Sequence, residues 1–152
     1  MEKSPEQTSA ASAGGAKKHS GSCHCGAIRF EVEVDVKAGA SKCNCTICTK
    51  IGAPGANVKP SAFSLLSGKE SLSEYQWGPK ISRRFFCKQC GIHCFARGHL
   101  AELGGDYVSV NFNCLDDIDL VDVKLTYWDG RHNNWEAGSR GTPWPISASP
   151  AS

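Results

Sequence analysis

Seven of the nine cysteines fall into three tight groups: Cys23 and Cys25 in "GSCHCG", Cys43, Cys45 and Cys48 in "SKCNCTICTK", and Cys87 and Cys90 in "FCKQCG". C-x-C and C-x-x-C spacings bring thiolates close enough to share one ion, whereas an odd cysteine count suits a secreted disulfide framework poorly. The reading is metal ligation in a reducing compartment, which points to the cytoplasm. Cys87-Lys-Gln-Cys90-Gly91 has the form of a zinc knuckle, in which turn N–H groups stabilise the thiolates and glycine permits a positive φ. Cys23 and Cys25 make the only other two-cysteine group. The economical assignment is therefore one closed, structural four-thiolate zinc on Cys23, Cys25, Cys87 and Cys90. Such a site contributes about 10–16 kcal/mol in zinc-finger peptides, enough to decide folding. Cys43, Cys45 and Cys48 are left with three thiolates. Three protein ligands with an open position is the arrangement of a catalytic zinc. The competing assignment is a second structural zinc closed by His93, Cys94 or Cys114; the two cysteines otherwise read as small buried hydrophobes.

The 152 residues suffice for one ordinary domain. Residues 1–16 mix Ser, Ala, Gly, Glu and Lys without an apolar run and read as a solvated tail. The expected domain spans 17–146, with a second tail over 147–152 and His19 in the tail region. No secretory h-region and no apolar stretch of membrane-spanning length is visible. A net charge of +2, from 17 basic and 15 acidic residues, gives no field that would draw in nucleic acid or an anionic membrane.

Alternating apolar and charged residues in "IRFEVEVDV", from Ile28 to Val36, predict a strand with one buried face. Further strands are expected in "AFSLLSG" from Ala62, "SLSEYQW" from Ser71, "SRRFFC" from Ser82, "YVSVNFN" from Tyr107 and "LVDVKLTYW" from Leu120, separated by Gly, Asp, Asn and Pro punctuation. Helical periodicity is absent over any long window, so helices should be short turns after Cys45 or near Ala101. The fold class is mostly β.

"GSCHCGAIRFEVEV", followed by C-x-C-x-x-C and then by "FCKQCGIHCF", resembles the glutathione-dependent formaldehyde-activating enzyme family, which also contains the centromere protein V domain. The resemblance covers roughly residues 19–128. It implies a β-tent fold of several small coiled antiparallel sheets clipped by zinc, with two zincs per chain: one structural, on Cys23, Cys25, Cys87 and Cys90, and one catalytic, on Cys43, Cys45 and Cys48. In the family's namesake the second zinc is where glutathione reacts with formaldehyde. Two positions depart from the pattern: Asn44, where members often carry His, and Cys94.

The implied activity is that of a carbon–sulfur lyase or ligase acting on a glutathione-type thiol and an aldehyde, or on a glutathione conjugate. A thiol of pKa near 8.5 is about 3% ionised at pH 7, so deprotonation by a metal supplies at most ~30-fold, and positioning must supply the rest. His93, His99, His132 and Lys50 are the candidate proton carriers, none of them in an acid–base motif. His24, inside the first knuckle, should be exposed. The run "YWDGRHNNWEAGSRGTPWPI" concentrates aromatic and basic residues; Arg131 and Arg140 are candidates to clamp a glutathione carboxylate and Trp135 to wall the site, against the alternative of a segment that caps the sheet. The competing function is a non-enzymatic zinc module that binds a protein or nucleic acid, as in centromere protein V relatives. A homo-oligomer is compatible with either.

Overall fold

The computed structural model describes residues 15–147, so the expected tails at 1–16 and 147–152 lie almost wholly outside the described residues. Ten strands and one short helix follow in order: β1 (Lys17–Ser22), β2 (Arg29–Val34), β3 (Ala40–Cys43), α1 (Thr46–Ile51), β4 (Gly55–Val58), β5 (Phe63–Ser67), β6 (Leu72–Tyr75), β7 (Ser82–Cys87), β8 (His93–Leu100), β9 (Gly105–Asn111) and β10 (Leu125–Trp128). They form a three-stranded sheet, β1-β2-β5, and a seven-stranded sheet, β10-β3-β4-β9-β8-β7-β6. Every pairing is antiparallel except that of β10 with β3, which is parallel.

The mostly β expectation and the two short helical turns, α1 and a 3-10 turn at Ala101–Leu103, match the structure. Other expectations are corrected. The strand expected from Leu120 begins only at Leu125, because the Asp119 side chain accepts the Val121 N–H at 3.0 Å and winds Leu120–Asp122 into a 3-10 turn. His19 belongs to β1, where its ring meets Asp117 at 3.2 Å. β1, β3, β4 and β8 were not expected as strands.

β2 shows how the alternating pattern works. Phe30, Val32 and Val34 are buried while Arg29 and Glu33 are exposed, as the period of two requires. Phe30 packs on Phe63 of β5 with ring centroids 5.3 Å apart, Phe63 on Phe95 of β8 at 4.6 Å, and Phe95 on Phe85 of β7 at 5.0 Å. This chain of rings joins the two sheets, each pair adding about 0.5–1.5 kcal/mol beyond area burial.

β9 applies the same rule at the centre of the larger sheet. Val108 and Val110 are buried in the core, and Tyr107, Ser109 and Asn111 point to the opposite face. Register aligns Asn57 of β4, Ser109 of β9, Ala96 of β8 and Arg84 of β7 in one row across four strands. Those residues line an open cleft of about 840 Å³. No helix among the described residues is long and apolar enough to cross a membrane.

Candidate metal centres and the adjoining cleft

Two groups of cysteine sulfurs converge, each with all its sulfurs within 4.8 Å of one another: Cys23, Cys25, Cys87 and Cys90, and Cys43, Cys45 and Cys48. In the first, a turn after β1 faces the turn after β7. Each cysteine pair is followed by a glycine in the left-handed region, Gly26 at φ 83° and Gly91 at φ 79°, which turns the backbone amides toward the sulfurs. The Ile28 N–H donates to Cys23 Sγ at 3.3 Å, and the Gln89 and Cys90 N–H groups donate to Cys87 Sγ at 3.4 and 3.5 Å. Backbone amides near Cys25 and Ile92 hold the Cys90 thiol down to about 6.

Sulfur separations test what the cluster can hold. Cys23 and Cys25 lie 3.7 Å apart, as do Cys25 and Cys87. A disulfide needs about 2.05 Å. Four sulfurs at about 2.3 Å from a tetrahedral zinc stand about 3.8 Å from each other. The four-cysteine cluster therefore fits a closed tetrahedral ion.

The second cluster is built on one turn. Cys43 ends β3, Cys45 precedes the first residue of α1, and Cys48 lies one turn into the helix, so the i, i+3 spacing turns both latter sulfurs to one side. The Cys45 N–H donates to Cys43 Sγ at 3.4 Å. Contacts from Cys43 and Cys48 hold the Cys45 thiol far below the ordinary range, while the same crowding, with Cys43 first, pushes Cys48 far above it. Three crowded thiols without a cation thus give up one proton readily and the others reluctantly; a divalent cation removes that conflict.

Asn44, between the first two cysteines, turns away from the sulfurs and pins the loop. Its Nδ2 donates to Asp129 Oδ1 at 2.8 Å and to the Pro145 carbonyl at 3.2 Å. Its Oδ1 accepts the Arg131 N–H at 2.9 Å, and its carbonyl accepts Arg131 Nε and Thr49 Oγ1, both at 2.9 Å. Burial alone would raise the Asp129 carboxyl, but hydrogen bonds from Asn44, His132 and Asn134 outweigh it and hold the group below the usual carboxylate range. Gly130 has to be glycine for a different reason: a Cβ there would run into Cys43 Sγ and the Trp135 ring.

The C-terminal run therefore braces the triad loop. Arg131 spends Nε on Asn44 and reaches Thr49 Oγ1 at 3.3 Å. Arg140 donates to the Thr142 and Pro143 carbonyls and lies over Trp144 at 3.7 Å. Trp135 reaches the cleft, tilted against Trp128 at 6.1 Å.

The cleft runs from the three cysteines along the polar face of the larger sheet. Among the candidate proton carriers, His93 lines it; His99 is paired with Asp106 at 2.6 Å, His132 with Asp129 at 2.7 Å, and Lys50 is exposed. His24 is exposed as expected. No fourth Cys, His, Asp or Glu ligand atom joins the triad among the described residues. Cys94 and Cys114 are buried in the core, their thiols donating to the Ile92 and His93 carbonyls at 3.6 and 3.5 Å. Arg84, Tyr107 and Ser109 also line the cleft, and the sequence did not single them out. Arg84 Nη2 stands 4.0 Å from Cys48 Sγ. Only the strand register shows that they meet.

Fold and clusters together define a class: a mostly β protein with two cysteine sites suited to metal, one closed by four sulfurs and one left with three at the end of a cleft. Residues 18–131 match the family described as glutathione-dependent formaldehyde-activating enzyme. That stretch is most of the chain and holds all seven clustered cysteines; the chain belongs to this family. A Halomonas elongata protein whose name places it among the glutathione-dependent formaldehyde-activating enzymes is 36% identical over 78 residues, covering 46% of this chain and 50% of that protein. The chain thus spans about half the length of that curated relative. The crystal structure of a Rhodobacter sphaeroides protein is similar in fold, with a TM-score of 0.58 and 29% identity over 85% of this chain and 100% of the other.

Proposed function

We propose that the chain is a zinc-dependent carbon–sulfur lyase or ligase that adds a glutathione-type thiol to a small aldehyde and reverses the addition. Zinc at Cys23, Cys25, Cys87 and Cys90 is structural in this reading, and zinc at Cys43, Cys45 and Cys48 catalytic, within a β-tent arrangement clipped by the two sites. The observation that carries it is the triad at the end of the cleft with no fourth side-chain ligand gathered to it. Zinc bound there would hold an incoming thiol as its thiolate.

The chain's own residues do the rest. Asn44, Asp129 and Arg131 fix the loop so that the three sulfurs face the cleft without reorganisation. Trp135 and Trp128 line the cleft beside the sulfurs and give it an aromatic wall. Asn57 and Ser109 stand along the row where the peptide part of a thiol ligand would lie. Arg131 and Arg140 enter this reading as braces, since their donors already serve carbonyls of the chain itself.

The test is direct. Protein purified without chelator should carry two zinc per chain and should accelerate exchange between ¹³C-formaldehyde and glutathione, read by exchange NMR. Two-zinc protein that leaves the exchange at the buffer rate would remove the proposal.

A further inference from the structure

Buried polar groups are nearly always hydrogen-bonded, so each exception asks for an explanation. Among the described residues three buried side-chain polar atoms have no partner: Arg84 Nε and both ring nitrogens of His93. All three sit on two residues of neighbouring strands, β7 and β8, and both residues line the cleft that ends at Cys43, Cys45 and Cys48. No carboxylate among the described residues pairs with Arg84. Its guanidinium is held instead over the Trp77 ring at 5.5 Å, with Nη2 toward Cys48 Sγ. The fork is thus anchored at one end, while Nε is buried with no hydrogen-bond partner.

We propose that Arg84 Nε–H and a His93 ring N–H form an oxyanion site, which receives the carbonyl oxygen of the electrophile while the thiol held at the triad attacks its carbon. This rests on the thiol–aldehyde reading above and extends it to the half of the reaction that reading leaves unassigned. The sulfur lone pair forms the C–S bond, and the C=O π pair moves onto oxygen. The alkoxide is held by the two donors, and water returns the proton the thiol gave up, so thiol plus aldehyde yields a hydroxymethyl-type thioether. The reverse path runs through the same contacts.

Burial, with the Arg84 charge beside it, holds the His93 imidazole down to about 4. At neutral pH the ring is uncharged and offers one N–H donor and one acceptor, so it serves as a hydrogen-bond donor to developing charge rather than as an acid. Arg84 supplies the fixed positive charge. Preorganised donors of this kind need no reorganisation as the charge forms.

The experiment has two arms. In the first, zinc-loaded protein with ¹⁵N-labelled Arg and His is titrated with formate, a small planar oxyanion, and the Arg84 Nε–H and His93 ring signals are followed by NMR. The expected result is one saturable shift of both signals, weakened at least tenfold for Arg84 in His93→Phe. The absence of a saturable shift, or an unchanged Arg84 response in the variant, overturns the site. In the second arm hydroxymethyl exchange is measured with glutathione and formaldehyde. His93→Phe should lower the rate about 10²- to 10³-fold. His93→Gln, whose amide still donates, should recover at least tenfold of that, with glutathione affinity within twofold in both. A loss under threefold, or a loss matched by glutathione affinity, also overturns it. If the unsubstituted protein shows no exchange, the thiol–aldehyde reading fails and the formate arm alone decides the anion site.

Discussion

At Cys23, Cys25, Cys87 and Cys90 four sulfurs surround one point, held by the turns they belong to; at Cys43, Cys45 and Cys48 three sulfurs face a cleft, held by residues far along the chain. The first cluster needs local turn chemistry and two glycines of positive φ. The second needs Asp129, Gly130 and Arg131, which reach it only because β10 lies parallel to β3. A site whose ligands saturate the ion can hold sheets together and do little else. A triad with no fourth ligand gathered to it among the described residues gets its rigidity from outside its own sulfurs, and the Asn44 hub supplies it.

The sharpest way to break this contrast is to remove one ligand from each cluster. Cys87→Ser should lose the closed site. With structural zinc worth about 10–16 kcal/mol in finger peptides and whole domains stable by only about 5–15, the variant should be unfolded or recovered only as aggregate, as seen by circular dichroism and metal analysis. Asn44→Ala comes next. It leaves the Arg131 N–H without its partner, at about 1–3 kcal/mol, and takes from Asp129 one of three hydrogen bonds, those of His132 and Asn134 remaining. Denaturant unfolding should show that loss, and metal analysis should show one zinc retained and one lost.

A pH series has a smaller effect and a definite sign. Folded His93 stays neutral down to about pH 4, whereas the unfolded side chain titrates near 6.5. Between these values the unfolded state binds more protons, so this term makes stability fall as pH drops from about 6.5 toward 4. The slope should flatten in His93→Phe, measured by denaturant midpoints; equal slopes would remove the assigned neutral imidazole. The smallest stability effect belongs to Cys48→Ser, expected to melt within about 5 °C of the parent because the cleft's brace does not depend on that sulfur. The same variant should lose one zinc and nearly all exchange activity. A melting point that falls as far as that of Cys87→Ser would make the second cluster structural.

Both clusters were legible from spacing, because cysteine groups and knuckle glycines write their geometry locally. β2, β5 and β9 were legible because one face of each is apolar, and β7 because Phe85 and Phe86 stand together before its cysteine. β8 was not: "HCFARGHL" buries Cys94, Phe95 and Ala96 in succession, so no alternation shows. β1 is polar throughout apart from Gly21, whose missing side chain makes room for the Phe30 ring, a reason that lies on another strand. β3 and β4 are four residues each, too short to show alternation, and mostly built of small residues. The cleft was hidden for a related reason. Arg84 and Ser109 look like ordinary strand residues until register lines them up across the sheet, and a histidine without partners cannot be told from a paired one in a sequence.

The parallel seating of β10 on β3 also sets an order of events as the chain leaves the ribosome. The closed cluster has all four cysteines available once Cys90 has emerged from the ribosome, so the two knuckles can meet while the rest of the chain is still being made. The triad loop, though synthesised earlier, waits for Trp128 to pair with Cys43 and for Asp129 and Pro145 to close on Asn44. The two knuckles can therefore meet before the triad is braced, and the three sulfurs of the triad are the last part of the molecule to be set in place.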